Sequence, residues 1–308
     1  MTARETIRSS LHDVAAEAGF VAHPPRMGFF TDTSVCIGCK ACEVACKEWN
    51  LIPDDGFNLL GMSFDNTGQL GANSWRHVAF IEQQRPMRRE PVDLGMPSVG
   101  APDAQPVTEG RTGAGSEQGT ELRWLMASDV CKHCTHAGCL DVCPTGALFR
   151  TEFGTVVVQQ DICNGCGYCI PACPYGVIDQ RKDDGRAFKC TLCYDRLGDG
   201  LTPACAQACP TESIQFGDVD ELRQRAQARV EKLHEDGVTE ARLYGHDPAD
   251  GVGGNGAFFL LLDEPEVYGL PPDPVVTTRD LPKMWRRAGL AALAMAASAV
   301  AAFVGRSG

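Results

Sequence analysis

Apolar and polar residues alternate with a period that changes several times along this chain, and each change marks an element. Near the start, Ile7, Leu11, Val14 and Ala18 recur at helical spacing and predict a short amphipathic helix. WRHVAFIEQ (75–83) and LRWLMASDV (122–130) read as strands able to pair. GTVVVQQDI (154–162) and GRAFKC (185–190) read as return strands of hairpins, following Gly154 and Asp184-Gly185. Asp218 caps a predicted helix with Leu222, Ala226, Val230 and Leu233 on one face and Gly237 at its end. AFFLLLD (257–263) reads as a further strand. The fold class expected is α+β.

Two segments break the pattern. Residues 86–120 carry 5 Pro and 6 Gly in 35 positions and read as an exposed loop. Residues 288–305, AGLAALAMAASAVAAFVG, form an uncharged run of eighteen. As a helix this run reaches about 27 Å, close to the roughly 30 Å hydrocarbon core of a bilayer. Trp285, Arg286 and Arg287 precede it and Arg306 follows, where interfacial anchors belong. It is read as a membrane anchor in preference to a soluble helix docked on a partner. Its small residues suit close packing against other transmembrane helices. The basic excess before the helix would place the main domain inside.

Composition narrows the function. The 308 residues allow one to two domains, and the net charge of −12 argues against nucleic acid as a partner. The opening residues contain neither an apolar h-region nor a twin-arginine run, so no signal peptide is expected. The chain is therefore expected in the cytoplasm or exported with a partner.

All 16 cysteines fall into four groups. Cys36, Cys39, Cys42 and Cys46 are spaced x2, x2, x3. Cys131, Cys134, Cys139 and Cys143 are spaced x2, x4, x3. Cys163, Cys166, Cys169 and Cys173 repeat the first spacing, and Cys190, Cys193, Cys205 and Cys209 are spaced x2, x11, x3. A cubane [4Fe–4S] cluster needs one thiolate per iron. Steps of three residues return successive sulfurs to one side of a tight loop, so three irons are gripped locally. In two-cluster ferredoxins the fourth cysteine, on a short helix facing away, binds the other cluster. Gly38, Gly165 and Gly167 suit the backbone angles of such loops. Proline follows the fourth cysteine at Pro144, Pro174 and Pro210, whereas Lys47 stands there in the first group.

Other tenants fit less well. Disulfide scaffolds this rich in cysteine are normally short and secreted. Zinc is the serious rival, because Cys190–Cys209 alone resembles a zinc ribbon, but the first and third groups add a third thiol at the same short step. GVGGNG (251–256) matches a dinucleotide fingerprint in letters only: a polar loop precedes it and a strand follows, so it reads as a turn. His133 and His136 sit inside a group that already has four thiols, and are expected to hydrogen-bond near its cluster. No nucleophile–base pair or phosphate loop is evident, so no catalytic residue is assigned.

CPTGALFRTEF (143–153), CPYGVIDQRKD (173–183) and CPTESIQFGDV (209–219) form an internal repeat, each expected to run from C-P through a helical turn into a strand. Spacing leaves open which groups pair. Nineteen residues separate the second and third groups, and sixteen the third and fourth.

Taken together, CIGCKACEVACKEWN, CKHCTHAGCLDVCPTGAL, CNGCGYCIPACPYGV, KCTLCYDRLGDGLTPACAQACPT, DGVGG and LPPDP resemble the iron–sulfur (beta) subunits of membrane-bound formate dehydrogenases of the formate dehydrogenase-N type. The resemblance implies two nested ferredoxin-like two-cluster units, followed by one transmembrane helix. It implies that Cys36, Cys39 and Cys42 hold one cluster with Cys209, and that Cys46 joins Cys190, Cys193 and Cys205 on a second. Cys131, Cys134, Cys139 and Cys173 would hold the third; Cys143, Cys163, Cys166 and Cys169 the fourth. The implied layout is an N-terminal extension (1–26), an outer unit in two halves (27–85 and 184–217) and the loop 86–120. An inserted unit (121–183), a C-terminal helix and strand extension (218–281) and an anchor (282–308) complete it. The implied partners are a molybdopterin-containing catalytic alpha subunit, with molybdenum or tungsten, that oxidises formate, and a cytochrome b gamma subunit in the cell membrane that reduces quinone. The chain itself would be an electron-transfer subunit. A relay subunit of a hydrogenase or another molybdopterin oxidoreductase is the alternative. The loop 86–120 is longer than in familiar members, and the segment after the anchor is shorter.

Overall fold

The structure, a computed structural model, describes residues 13–56, 64–65, 67–86 and 120–304. Ile7, Leu11, most of the Pro/Gly-rich segment (87–119) and Arg306 lie outside the described residues. The chain divides into two compact units, one taking in Met1–Phe80 with Met126–Gly308, the other Ile81–Leu125. The second is described only where strands β2 (Arg76–Pro86) and β3 (Thr120–Val130) run into it, and these two strands pair as expected.

In the first unit a four-stranded sheet has the order β8 (Ile214–Asp218), β1 (Met27–Asp32), β10 (Ala257–Leu261), β9 (Arg242–Tyr244). β1 is antiparallel to β8 but parallel to β10, with Phe30 opposite Phe258. Successive side chains of β1 face opposite sides. Phe29 joins a core that contains Cys42, Cys131, Cys190 and Cys205, while Phe30 joins Leu222, Ala226, Val230 and Leu233 of helix α7 (Val219–Glu235). That is why FF and AFFLLL carry no polar alternation: both faces of these strands are covered. Phe30 stacks on Phe258 with ring centroids 5.4 Å apart. Fully burying each such ring contributes roughly 1.5–3 kcal/mol. Gly28 is required where β1 passes the 251–256 turn, because a Cβ there would lie 2.0 Å from the Gly256 carbonyl oxygen.

Helix α7 starts where its cap predicts, with the Asp218 carboxylate accepting from the Asp220 amide at 2.8 Å. The expected helix does not run unbroken to Ala18: α1 (Val14–Glu17) is four residues long and starts at the cap Asp13, whose carboxylate accepts from the Ala16 amide at 3.1 Å, with Val14 buried. Two small hairpins also match expectation: β4 (Leu148–Arg150) with β5 (Val156–Val158), and β6 (Asp179–Gln180) with β7 (Ala187–Phe188). The 251–256 segment is a turn, with the Asp250 carboxylate accepting from the Val252 and Gly254 amides.

The cysteine groups share a backbone repeat deeper than their letters. The residue two after the first cysteine is left-handed in all four groups: Gly38 (φ 65°), His133 (φ 45°), Gly165 (φ 71°) and Leu192 (φ 57°). A second left-handed residue lies three after the last cysteine at Gly146, Gly176 and Glu212, each amide bonding back to that cysteine's carbonyl at 3.3–3.4 Å. So the C-P repeat continues as a tight turn, where a helical turn was expected. The short helices also fall differently. In α3 (Gly138–Asp141), α4 (Cys169–Ala172) and α6 (Ala204–Gln207) the third cysteine is helical, and the fourth lies at or just past the C-terminus. The following proline is the reason, since it disfavours helical geometry in the residue before it. Helix α5 (Tyr194–Gly198) opens directly after Cys193, within the long spacer of the last group. Lys47 imposes no such stop as proline does, and α2 (Ala41–Trp49) carries both Cys42 and Cys46 on one face.

The last described element, α8 (Leu281–Val304), is 24 residues long. Its segment Lys283–Phe303 has mean hydropathy 1.2, and every residue of it is exposed.

Candidate metal centres

The sixteen thiols gather into four neighbourhoods within the first unit. Burial pushes the Cys36 thiol up, and charge on Cys209 and Cys39 adds to it. Cys46 is raised well above the ordinary thiol value by burial and by Cys190, Cys205 and Cys193. Burial likewise raises Cys134, with repulsion from Cys131, Cys173 and Cys139. Cys169 is pushed up to about 11 by burial, with Cys163, Cys166 and Cys143 as its charged neighbours. Cys139 and Cys190 both reach about 12, burial being the main cause. Cys143 is shifted the other way: burial is slight, and the Leu148, Thr145 and Ala147 amides favour its thiolate. Without a cation, most of these sulfurs stay protonated at neutral pH, so metal binding must displace protons.

Two neighbourhoods enclose cavities. One is lined by Cys36, Cys39, Cys42 and Cys209 together with Val78 and Ser128. The other is lined by Cys131, Cys134, Cys139 and Cys173 with His133 and Lys189. A roomier cavity, lined by Asp13, His23, Arg26, Asp220 and Arg223, contains no thiol. Among the described residues no three His, Cys, Asp or Glu side chains could hold a single metal ion. Tetrahedral zinc, with Zn–S of about 2.3 Å, would draw its sulfurs to within about 3.8 Å of each other. In two of the four sets the thiols line a common cavity, which suits a cofactor with bulk of its own, and an all-thiolate donor set is the one [4Fe–4S] clusters take.

Buried cations accompany the thiols, and these were not anticipated from sequence. Lys132 is wholly buried, bonding Asp129 and the Val130 carbonyl, and lies over the Tyr175 and Phe259 rings at 5.2 and 5.0 Å. Lys189 donates to the carbonyls of Val156 and Cys190. Arg76 donates to Cys205 Sγ at 3.2 Å. The only hint in the sequence was that Lys132 and Lys189 each adjoin a cysteine. His133 accepts from the Val156 amide at Nδ1 (3.1 Å), which puts its proton on Nε2, a buried atom without a partner among the described residues. Burial, then Lys189, Arg26 and Arg150, hold the ring well below the usual histidine pKa, so it is neutral.

Comparison with known proteins agrees with this chemistry. The 4Fe-4S dicluster domain family is matched twice, over residues 35–147 and 122–219. The nitrate-inducible formate dehydrogenase iron-sulfur subunit of Escherichia coli (strain K12) is 36% identical over 302 residues, covering 97% of this chain and 89% of that protein. The chain belongs to the family of formate dehydrogenase iron–sulfur subunits. Another E. coli member, the formate dehydrogenase-O iron-sulfur subunit, is 38% identical over 83% of this chain and 73% of its own length. The B subunit of the anaerobic dimethyl sulfoxide reductase of E. coli is 34% identical over 64% of the chain and 76% of its own length. This iron–sulfur subunit carries two dicluster domains, and four [4Fe–4S] clusters account for its 16 cysteines.

Proposed function

We propose that this subunit carries electrons from a molybdopterin-containing, formate-oxidising catalytic subunit to a cytochrome b partner in the membrane. The ligand sets proposed are Cys36, Cys39, Cys42 and Cys209; Cys46, Cys190, Cys193 and Cys205; Cys131, Cys134, Cys139 and Cys173; and Cys143, Cys163, Cys166 and Cys169. Each cluster, when bound, accepts and releases one electron. The single observation that carries the relay is how the four thiol neighbourhoods join. Cys42 of the first set, Cys190 and Cys205 of the second and Cys131 of the third share one core, Cys139 of the third set packs with Cys143, Cys163 and Cys169 of the fourth in another, and Cys173 packs against both. These shared cores support a line running from the first set to the fourth. Its ends are open: of the sixteen thiols only Cys39, in the first set, and Cys166, in the last, are exposed. Ile37 and Tyr168, both more than half exposed, flank them. Apolar exposure beside a redox terminus suits docking of a partner protein.

The residues of this chain fix positions and energies. Left-handed loop residues turn amides towards the sulfurs, as at Leu192, whose N–H lies 3.3 Å from Cys190 Sγ. Buried lysines and Arg76 offset the charge of thiolates drawn from water. Exposed Leu290, Leu293 and Met295 on α8 support an anchor that packs into the bilayer and against the cytochrome's helices.

The test is anaerobic co-purification with iron, acid-labile sulfide and molybdopterin analysis. The reading expects about four irons per four-cysteine group, a bleachable brown chromophore and a molybdopterin-bearing partner. Zinc in place of iron would sink the relay, and a partner without molybdopterin would sink the assignment to formate.

A further inference from the structure

Arg76 is one of the largest fully buried side chains among the described residues, with 2% exposure. A guanidinium in such a place normally meets a carboxylate. This one does not. Its Nη2 donates to Cys205 Sγ at 3.2 Å, and its Nη1 to the Ser128 carbonyl and hydroxyl oxygens, each at 3.2 Å. The Ser128 hydroxyl in turn lies 3.3 Å from Cys42 Sγ, and the guanidinium plane stacks over Phe29 at 4.9 Å. One continuous chain of contacts therefore runs Cys42–Ser128–Arg76–Cys205. Its two ends are ligands assigned above to different clusters, consecutive in the line.

We propose that Arg76 sets the reduction potentials of the first two clusters, directly through Cys205 and by way of Ser128 through Cys42. The inference rests on the ligand sets proposed above. Each reduction adds one electron, supplied by the catalytic partner, and one unit of negative charge to a thiolate-bound group, with no proton needed. A fixed cation in hydrogen-bond contact stabilises the more negative, reduced state more than the oxidised one. It therefore raises the potential. Because Arg76 touches Cys205 directly and reaches Cys42 through the Ser128 hydroxyl, it lifts both and keeps neighbouring steps of the relay close in energy. It is a positioning and tuning residue, since it contacts ligands and does not itself accept electrons.

The experiment is a potentiometric titration, followed by electron paramagnetic resonance, of the anaerobically purified complex. Signals are assigned with Cys209→Ser for the first cluster and Cys46→Ser for the second. Arg76→Gln, which keeps bulk but removes charge, is expected to retain all the iron and shift both assigned midpoints negative, the second further. The other two midpoints stay fixed. Arg76→Lys keeps the charge and holds both midpoints nearer the parent values, and Ser128→Ala lowers the first alone. Unmoved midpoints in an iron-replete Arg76→Gln protein would overturn the proposal. So would an equal shift in all four, or Arg76→Lys falling as far as Arg76→Gln. If Arg76→Gln sheds iron, Ser128→Ala and Arg76→Lys decide by the same criteria. Fewer than four clusters in the parent complex would instead mean that the underlying relay reading has failed.

Discussion

Replacing Asp32 with alanine tests how the first cysteine loop is held. Asp32 ends β1, four residues before Cys36, and its side chain is 4% exposed. Its carboxylate accepts from the Ser34 amide at 2.9 Å, from the Ser34 hydroxyl at 2.5 Å and from Arg229 Nε of α7 at 2.9 Å. The first contact is an N-terminal cap on the short 3-10 turn Thr33–Val35, and losing such a cap costs about 1 kcal/mol. The arginine contact is a charge-assisted bond of about 1.5–3 kcal/mol, reduced towards about 1 kcal/mol because the Arg229 side chain is 30% exposed. With about 0.5–1 kcal/mol more from the Ser34 hydroxyl bond, they give about 2–3 kcal/mol, concentrated on the segment that delivers Cys36. At about 1.4 kcal/mol per decade, local opening becomes on the order of 30- to 100-fold more frequent. The assay is iron release to a ferrous chelator from reduced, oxygen-free protein. The Asp32→Ala protein should lose one cluster's worth of iron in a new fast phase, with the rest leaving at the parent rate. Release unchanged in rate, or accelerated for all clusters together, would refute the view that Asp32 pins this loop alone.

Further outcomes follow from other contacts. Burial raises the Asp65 pKa, but the Gly68 amide, His77, the Thr67 amide and Lys40 bring it below the ordinary value. Its stabilising effect is therefore full above the unfolded carboxylate pKa of about 3.9 and is lost as pH falls through the lower folded value. Asp65→Asn should flatten this acid limb of an unfolding curve and leave the region above pH ~5 free of any Asp65-dependent slope. Gly28→Ala should cost at least about 1–3 kcal/mol by thermal unfolding, since the backbone oxygen of Gly256 cannot yield to the new Cβ. Cys166→Ser should remove roughly four irons and one resonance while the other three signals persist. His133→Leu, which removes an unpartnered Nε2–H beside the cavity of Cys131, Cys134, Cys139 and Cys173, should shift that cluster's potential negative with iron content unchanged.

Local chemistry made part of this legible in advance. Cysteine spacing marked all sixteen thiols because ligation by a short loop demands short steps. Asp218 and Gly237 bracketed α7 because caps are local, and the hairpins around Gly154 and Asp184-Gly185 were read from their turns. The parallel pairing of β1 with β10 was not legible, since nothing near residue 27 records a partner beyond residue 250. His133 and Leu192 in left-handed geometry were equally hidden, because only glycine advertises that conformation in its letter. Arg76 reads as an ordinary polar residue at the start of an alternating strand, and only the fold brings Cys205 and Ser128 to it.

That parallel pairing also dictates a timetable for biogenesis. β1 leaves the ribosome about 225 residues ahead of the strand it lies beside, a delay of roughly 10–45 s at ordinary elongation rates. The hairpins β4–β5 and β6–β7 close within a few residues of their own synthesis. The middle of the polypeptide is thus ready to be metallated first, while the earliest-made thiols wait, bare and oxidisable, for the last-made strand to seal them in.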